Sequence, residues 1–269
     1  MFDSHCHLHD QRQAQQQSQV IERAKTQGVT GVLLAGVCVD TWCEQNNFRK
    51  TYENPDFSIG VAYGIHPNWI PKFSIPSDIQ QHLAVLQRVL TGQIFSNGKA
   101  NAVGEIGLDV RGPESQRSLA DQVTYFRAQL ALARDLELPV VFHIVSAHSE
   151  AIHILKNDRL PKSGGVIHSY SGSAEFCLEY LKLGLHISFA GGITNSRAKK
   201  MLAAAKIVPG ERLLVETDAP DQTPKPYVGW PCESAFLPLV LSALARTRGE
   251  VLEELSRTTE QNARRLFHL

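Results

Sequence analysis

The stretch 2-FDSHCHLHDQRQAQQQ-17 decides the architecture. Its first half reads as a strand. Asp3, His5 and His7 follow apolar Phe2 at period-two spacing, which in an extended chain puts all three on one face. Helical spacing would need three or four residues between them. A lone His-x-His pair near a chain start can be nothing more than a solvated terminus, so its meaning depends on the rest of the sequence. The second half is glutamine-rich. It lacks the glycine-rich loop that normally follows the first strand of a doubly wound dinucleotide-binding sheet.

β-rich runs recur at 2–8, 29–37, 57–65, 101–108, 139–145, 165–170, 185–191 and 213–219, separated by polar or amphipathic stretches. The clearest helix is predicted over 114–137, where Leu119, Val123, Phe126, Leu130 and Ala133 recur at helical spacing. A second is predicted over 249–267. Eight strands alternating with helices within one chain of this length predict an α/β fold of the (β/α)8 TIM-barrel type, a single domain over 1–269.

The 269 residues are 43% hydrophobic and 20% charged, with zero formal net charge. That is the composition of a soluble globular protein, and it argues against one that coats nucleic acid electrostatically. A site gripping one strand end locally is still allowed. No apolar run suits a membrane span and no secretory leader is visible. The five cysteines form no C-x-x-C pair, which predicts reduced thiols and a cytoplasmic location.

Catalytic groups of such barrels sit at the C-terminal ends of the strands. His5 and His7 end strand 1, His66 follows strand 3, and Glu105 lies near the end of strand 4. His143 lies on strand 5, His168 on strand 6 and Asp218 at the end of strand 8. Alternation puts His143 on the face of Val141 and His168 on the face of Val166, so the inward row turns from valine to histidine near the top. A single strand histidine is usually a hydrogen-bonded core residue. Burying imidazoles and carboxylates together is costly unless a cation compensates them, and active sites collect such groups. The other histidines carry no predicted role: His186 lies at the wrong end of strand 7, and His82, His153 and His268 fall in helices. His9 is expected to meet solvent, and the place of His148, in the loop after strand 5, leaves open whether it faces substrate. Gly191-Gly192 reads as a strand exit needing unusual backbone angles.

These segments resemble the TatD family of metal-dependent hydrolases, within the amidohydrolase-type barrels. The matching stretches are FDSHCHL, GIHP, AVGEIGLD, VVFH, HSYSGS, FAGGIT and LLVETDAP, in the family's order from Phe2 to Pro220. The resemblance implies two divalent ions of magnesium, manganese or zinc: His5, His7 and Asp218 at one, His143 and His168 at the other, and Glu105 bridging. Ions about 3.5–4 Å apart can clamp the attacking and leaving oxygens of a phosphodiester. Asp218 would accept the proton of the attacking water, His66 would meet substrate phosphate, and Asp3 and Glu216 would serve structural roles. The implied activity is that of a deoxyribonuclease working from the 3′ end, with DNA (a single strand or strand end) as partner and no obligate protein partner. Removal of D-amino acids from tRNA, cleavage of another ester or amide, and a non-catalytic metal-binding role are the alternatives. The sequence departs from the family pattern at Val145, where arginine is common, at Cys232-Glu233-Ser234, and at Val110-Arg111. Arg111, and Arg197 of the basic run Asn195-Arg197-Lys199-Lys200, are the expected replacement cations for substrate phosphate.

Overall fold

Runs such as GVLLA and VVFHIV are β-branched or leucine-rich and buried on both faces, the pattern of strands covered by helices on one side and by each other on the other. The computed structural model describes residues 1–70, 76–95, 98–111 and 118–269. Its strands are β1 (Phe2–Cys6), β2 (Gly31–Ala35), β3 (Ser58–Tyr63), β4 (Ala102–Asp109), β5 (Val140–Val145), β6 (Gly165–Ile167), β7 (His186–Phe189) and β8 (Leu213–Val215). They pair in parallel in sequence order, β1 to β8. The ring draws together beyond the strand ends, where the Asp218 amide donates to the His5 carbonyl at 3.0 Å and the His7 amide to the Ala219 carbonyl at 2.6 Å. The chain is therefore a (β/α)8 barrel, as its sequence predicts.

The helices among the described residues are α1 (Gln17–Thr26), α2 (Trp42–Tyr52), α3 (Pro76–Leu90), α4 (Leu119–Asp135), α5 (His148–Asp158), α6 (Ala174–Lys182), α7 (Lys199–Ile207), α8 (Leu237–Arg248) and α9 (Leu252–Phe267). None is long and apolar enough to cross a membrane. The helix predicted over 114–137 begins at Leu119 behind the cap of Ser118, whose hydroxyl accepts from the Asp121 amide, and 114–117 lie outside the described residues. The terminal helix starts at Leu252 instead of 249, because Gly249 is the left-handed residue that ends α8.

Two apolar layers carry the barrel. Helices pack outside the strands, and an inner cluster of Phe2, Leu33, Val141, Val166 and Leu214 is closed from below by Ala263, Leu266 and Phe267 of α9. Above it the interior turns polar, with the Ser4 hydroxyl 3.1 Å from that of Ser188 and donating to the Val215 carbonyl at 2.9 Å. Buried glutamines on the helices pin the strand ends. Gln129 brackets Ile65, accepting from its amide at 2.7 Å and donating to its carbonyl at 3.0 Å. Gln122 does the same to Asp109 at 2.8 and 2.9 Å. Both latches sit beside cavity residues.

Two expectations change. Asp3 does not share the face of His5 and His7. Its carboxylate accepts from Thr217 N at 2.9 Å, and from the hydroxyls of Thr217 and Ser234 at 2.6 Å each. The register of β1 on β2 shifts between Asp3 and Cys6, so strict alternation is not kept across that point. Gly191 and Gly192 have no left-handed backbone and form a short 3-10 turn. Gly191 is small for another reason, since a Cβ there would collide with the Gln222 carbonyl.

Candidate active site

Most of the polar residues predicted at the strand ends project just past the last ladder bond. β1 stops at Cys6, β6 at Ile167 and β8 at Val215, which frees His7, His168 and Asp218 from the sheet. Asp218 adopts a positive φ of 58°, a left-handed conformation uncommon outside glycine. A cavity of about 950 Å³ opens there, lined by His7, His66, Glu105, His143, His168 and Asp218. His5 lies fully buried.

Glu105 is at the centre. Its Oε1 is 3.4 Å from His5 Nε2 and 3.2 Å from His7 Nε2. Its Oε2 is 3.3 Å from His143 Nδ1 and 2.8 Å from His168 Nε2. Asp218 Oδ1 lies 3.5 Å from both strand-1 imidazoles. His5 and His168 stack with ring centroids 4.0 Å apart.

The donor set fits cations, and the hydrogen bonds give the reason. His7 Nδ1 lies 2.8 Å from the Ala35 carbonyl, an acceptor only, so Nδ1 carries the proton. The lone pair of the neutral ring then sits on Nε2, aimed at two carboxylate oxygens. His143 is arranged alike: Nε2 donates to Asp109 Oδ2 at 3.1 Å, which leaves Nδ1 facing Glu105 and, at 3.0 Å, His168 Nε2. Neither ring nitrogen of His5 has a hydrogen-bond partner. Lone pairs facing anions repel, and orphaned buried nitrogens are expensive, unless a proton or a metal ion stands between them.

Without cations the cluster answers with protons. Burial lowers the His7 pKa, but hydrogen bonds to Asp218 and Glu105 outweigh it and push it up to about 10. Burial likewise works against the cation of His168, yet the Glu105 charge raises its pKa well above the usual value. Glu105 is disfavoured as an anion by burial, and the neighbouring charges of His168 and His5 nevertheless hold it well below the carboxylate range. Asp218, burial notwithstanding, is held at about 2 by its bond to His7 and is ionised at neutral pH.

The remaining predicted residues divide. His66 is buried at the cavity wall, its ring edge-on to His143 at 4.1 Å, and burial followed by the His143 charge keeps it neutral. Arg111 reaches the cavity with its Nη2 3.0 Å from Asp109 Oδ2, and Val145 lines the same wall. Arg197 does not line the cavity; it lies on the exposed stretch leading into α7. Glu216 accepts from the Ser169 amide at 2.6 Å and lies 3.4 Å from His168 Nδ1, the structural part expected of it. His9 is not on an exposed loop but at the cavity wall. It is buried, and burial pulls its pKa down to about 3. His148 does not face the cavity. It starts α5 and packs on Tyr170, Phe176 and Tyr180, with Nδ1 3.0 Å from the Tyr180 hydroxyl.

Asp109 and Gln222 have no counterpart among the predicted site residues. Asp109 stands two pleats beyond Glu105 on the same strand, so the period-two rule alone pointed to it. Gln222 donates to Asp218 Oδ2 at 2.5 Å and also bonds the Ser169 hydroxyl. No sequence pattern marks it.

An eight-stranded parallel barrel with imidazoles and carboxylates crowded at one rim is the architecture of a metal-dependent hydrolase. The TatD related DNase family model matches residues 2–268, and the chain belongs to that family. It is 32% identical over 269 residues to an uncharacterized metal-dependent hydrolase, YabD, of Bacillus subtilis, covering 100% of this chain and 99% of that protein. It is 34% identical over 277 residues to the 3′-5′ ssDNA/RNA exonuclease TatD of a Rahnella species, covering 100% and 98%. The crystal structure of the TatD homologue YjjV from Escherichia coli superposes with a TM-score of 0.89 at 29% identity, covering 100% of this chain and 98% of that one.

Proposed function

We propose that this TatD-family hydrolase is a single-domain, cytoplasmic exonuclease that removes nucleotides from the 3′ end of single-stranded DNA or RNA, using two divalent ions. One observation carries the reading: the two oxygens of Glu105 divide the imidazoles into two sets, His5 with His7 and His143 with His168. His5, His7 and Asp218 would hold one ion, His143 and His168 the other, with Glu105 shared. Bound there, divalent ions polarise a phosphoryl oxygen and lower the pKa of the attacking water.

The chain's own groups supply the rest. Ionised Asp218 takes the proton of the water that attacks phosphorus as the bond from phosphorus to the 3′ oxygen breaks. Gln222 holds its other oxygen in place. Arg111, anchored on Asp109, and neutral His66 face the phosphate from the cavity wall. Arg111 here offsets the arginine missing at Val145. The unpaired cysteines accord with a reducing compartment.

The protein, stripped with chelator and reloaded separately with magnesium, manganese or zinc, is to be tested on single-stranded DNA and RNA labelled at either end. Mononucleotides released from the 3′ end, and none after chelation, are expected. Cleavage of D-aminoacyl-tRNA or another ester, with intact oligonucleotides under all three ions, would overturn the reading. Arg111→Ala should raise KM about tenfold with a smaller effect on kcat, the loss of one charge-assisted bond.

A further inference from the structure

The loop that follows Asp218 carries three large exposed side chains within four positions: Tyr227 (39% exposed), Val228 (67%) and Trp230 (67%). Their exposure is not that of a frayed segment. The Tyr227 amide donates to the Pro224 carbonyl at 2.9 Å, the Trp230 amide to the Tyr227 carbonyl at 3.0 Å, and the Thr223 hydroxyl to the Trp230 carbonyl at 2.5 Å. Tyr227 is stacked parallel on Phe236 at 4.8 Å, and Trp230 meets Tyr227 edge-on at 6.2 Å. The backbone and one ring are fixed, yet the indole is left in water.

Beneath these rings lies a second cavity, of about 740 Å³, between the loop and α1. Arg12 lines both this cavity and the catalytic one. Its guanidinium is clamped between two carboxylates, Asp221 at 2.9 Å and Asp10 at 2.8 Å, which hold it in position and more than offset its charge. The loop itself begins on the catalytic wall with Asp221 and Gln222. An aromatic shelf is thus continuous with the reacting centre.

We propose that Trp230 and Tyr227 form a base-stacking shelf that holds the single strand on the 5′ side of the scissile bond, beyond the catalytic cavity. This rests on the exonuclease reading above. A polymer cut at its end must leave the cavity somewhere, and the Arg12 partition leads onto these rings. Stacking is tolerant of sequence because every base has a π-face, as removal of successive nucleotides demands. A second copy of the chain is the weaker occupant. Two rings bury about 500 Å² at most, against about 800 Å² per partner in a stable dimer.

The test compares the parent, Trp230→Ala and Trp230→Phe, all metal-loaded, on a thymidine dinucleotide and on oligothymidylate of twelve residues. In Trp230→Ala the KM for the twelve-mer should rise about 5- to 150-fold, the range of one lost base stack, with kcat within twofold. The dinucleotide, too short to reach the shelf, should keep its KM, and Trp230→Phe should recover most of the loss. A second arm needs no turnover: fluorescence anisotropy of labelled twelve-mer in chelator, where Trp230→Ala should bind correspondingly more weakly. Equal affinities of parent and Trp230→Ala in that arm overturn the shelf, as does a KM rise of equal size on both substrates. A sedimentation change in Trp230→Ala without a change in oligomer binding overturns it in favour of self-association. Failure to hydrolyse either substrate defeats the nuclease reading alone, since the anisotropy arm still decides the shelf.

Discussion

Asp109 does for His143 what the Ala35 carbonyl does for His7, taking the ring's far proton and turning the near lone pair toward Glu105. Burial alone would raise its pKa, but bonds from His143 and Arg111 hold it well below the carboxylate range. Asp109→Ala should cost about 10–100-fold in metal affinity or activity, the usual penalty for an orienting partner, with little loss of fold; metal content after dialysis against a dilute buffered ion checks it. Asp218→Asn is a sharper cut. The amide keeps the shape but cannot accept a proton, so kcat should fall about 10²–10⁴-fold, and parental turnover in that variant would place the base elsewhere. Most of the residues at this centre were legible in the sequence because strand ends in a barrel converge, whatever their separation along the chain. His9 was not: it follows the motif on a loop, and only the folded exit of β1 shows that it is buried.

At the scale of elements, α5 and α6 meet over His148, which packs among Tyr170, Phe176 and Tyr180. Burial lowers its pKa from 6.5 to about 4, so the folded protein resists a proton that the unfolded chain accepts. Its contribution to stability is therefore constant above pH 6.5 and lost progressively as pH falls toward 4, by about 2 kcal/mol after allowance for partial exposure. His148→Phe should flatten that acid limb. It should also impose a pH-independent cost near 1 kcal/mol, because the Tyr180 hydroxyl loses its partner. Urea midpoints of parent and variant at pH 7, 6 and 5 give the comparison, and parallel slopes would show that His148 does not titrate with folding. Which elements form could be read from hydrophobic period alone, since that signal is local. Their ends could not. β6 and β8 are only three residues long because the chain must leave the ladder to deliver His168 and Asp218, and the bulge in β1 depends on its neighbour β2.

Over the whole molecule, the first and last strands are joined at the site itself. The Asp218 amide bonds the His5 carbonyl at 3.0 Å, and the His7 amide bonds the Ala219 carbonyl at 2.6 Å. The side chains of His5, His7 and Asp218 point at one another across the same seam. Ions held there would tie β1 to β8 as well as serve chemistry, and they would relieve the lone-pair repulsion that only protons can relieve without them. Ligand binding to the folded state alone stabilises by about 2.7 kcal/mol at a hundred times the dissociation constant. For a chain of this size that is about 5–10 °C in Tm. Chelation should lower Tm by that amount and excess manganese or zinc should restore it. The gain should be larger at pH 8 than at pH 6, because imidazoles must shed protons to bind metal. In Glu105→Ala, where both sets of imidazoles lose their common partner, Tm should hardly respond to chelator. A parental Tm that is the same in chelator and in excess metal would mean that the rim cluster is satisfied by protons, and would remove the ions from the account of both closure and catalysis.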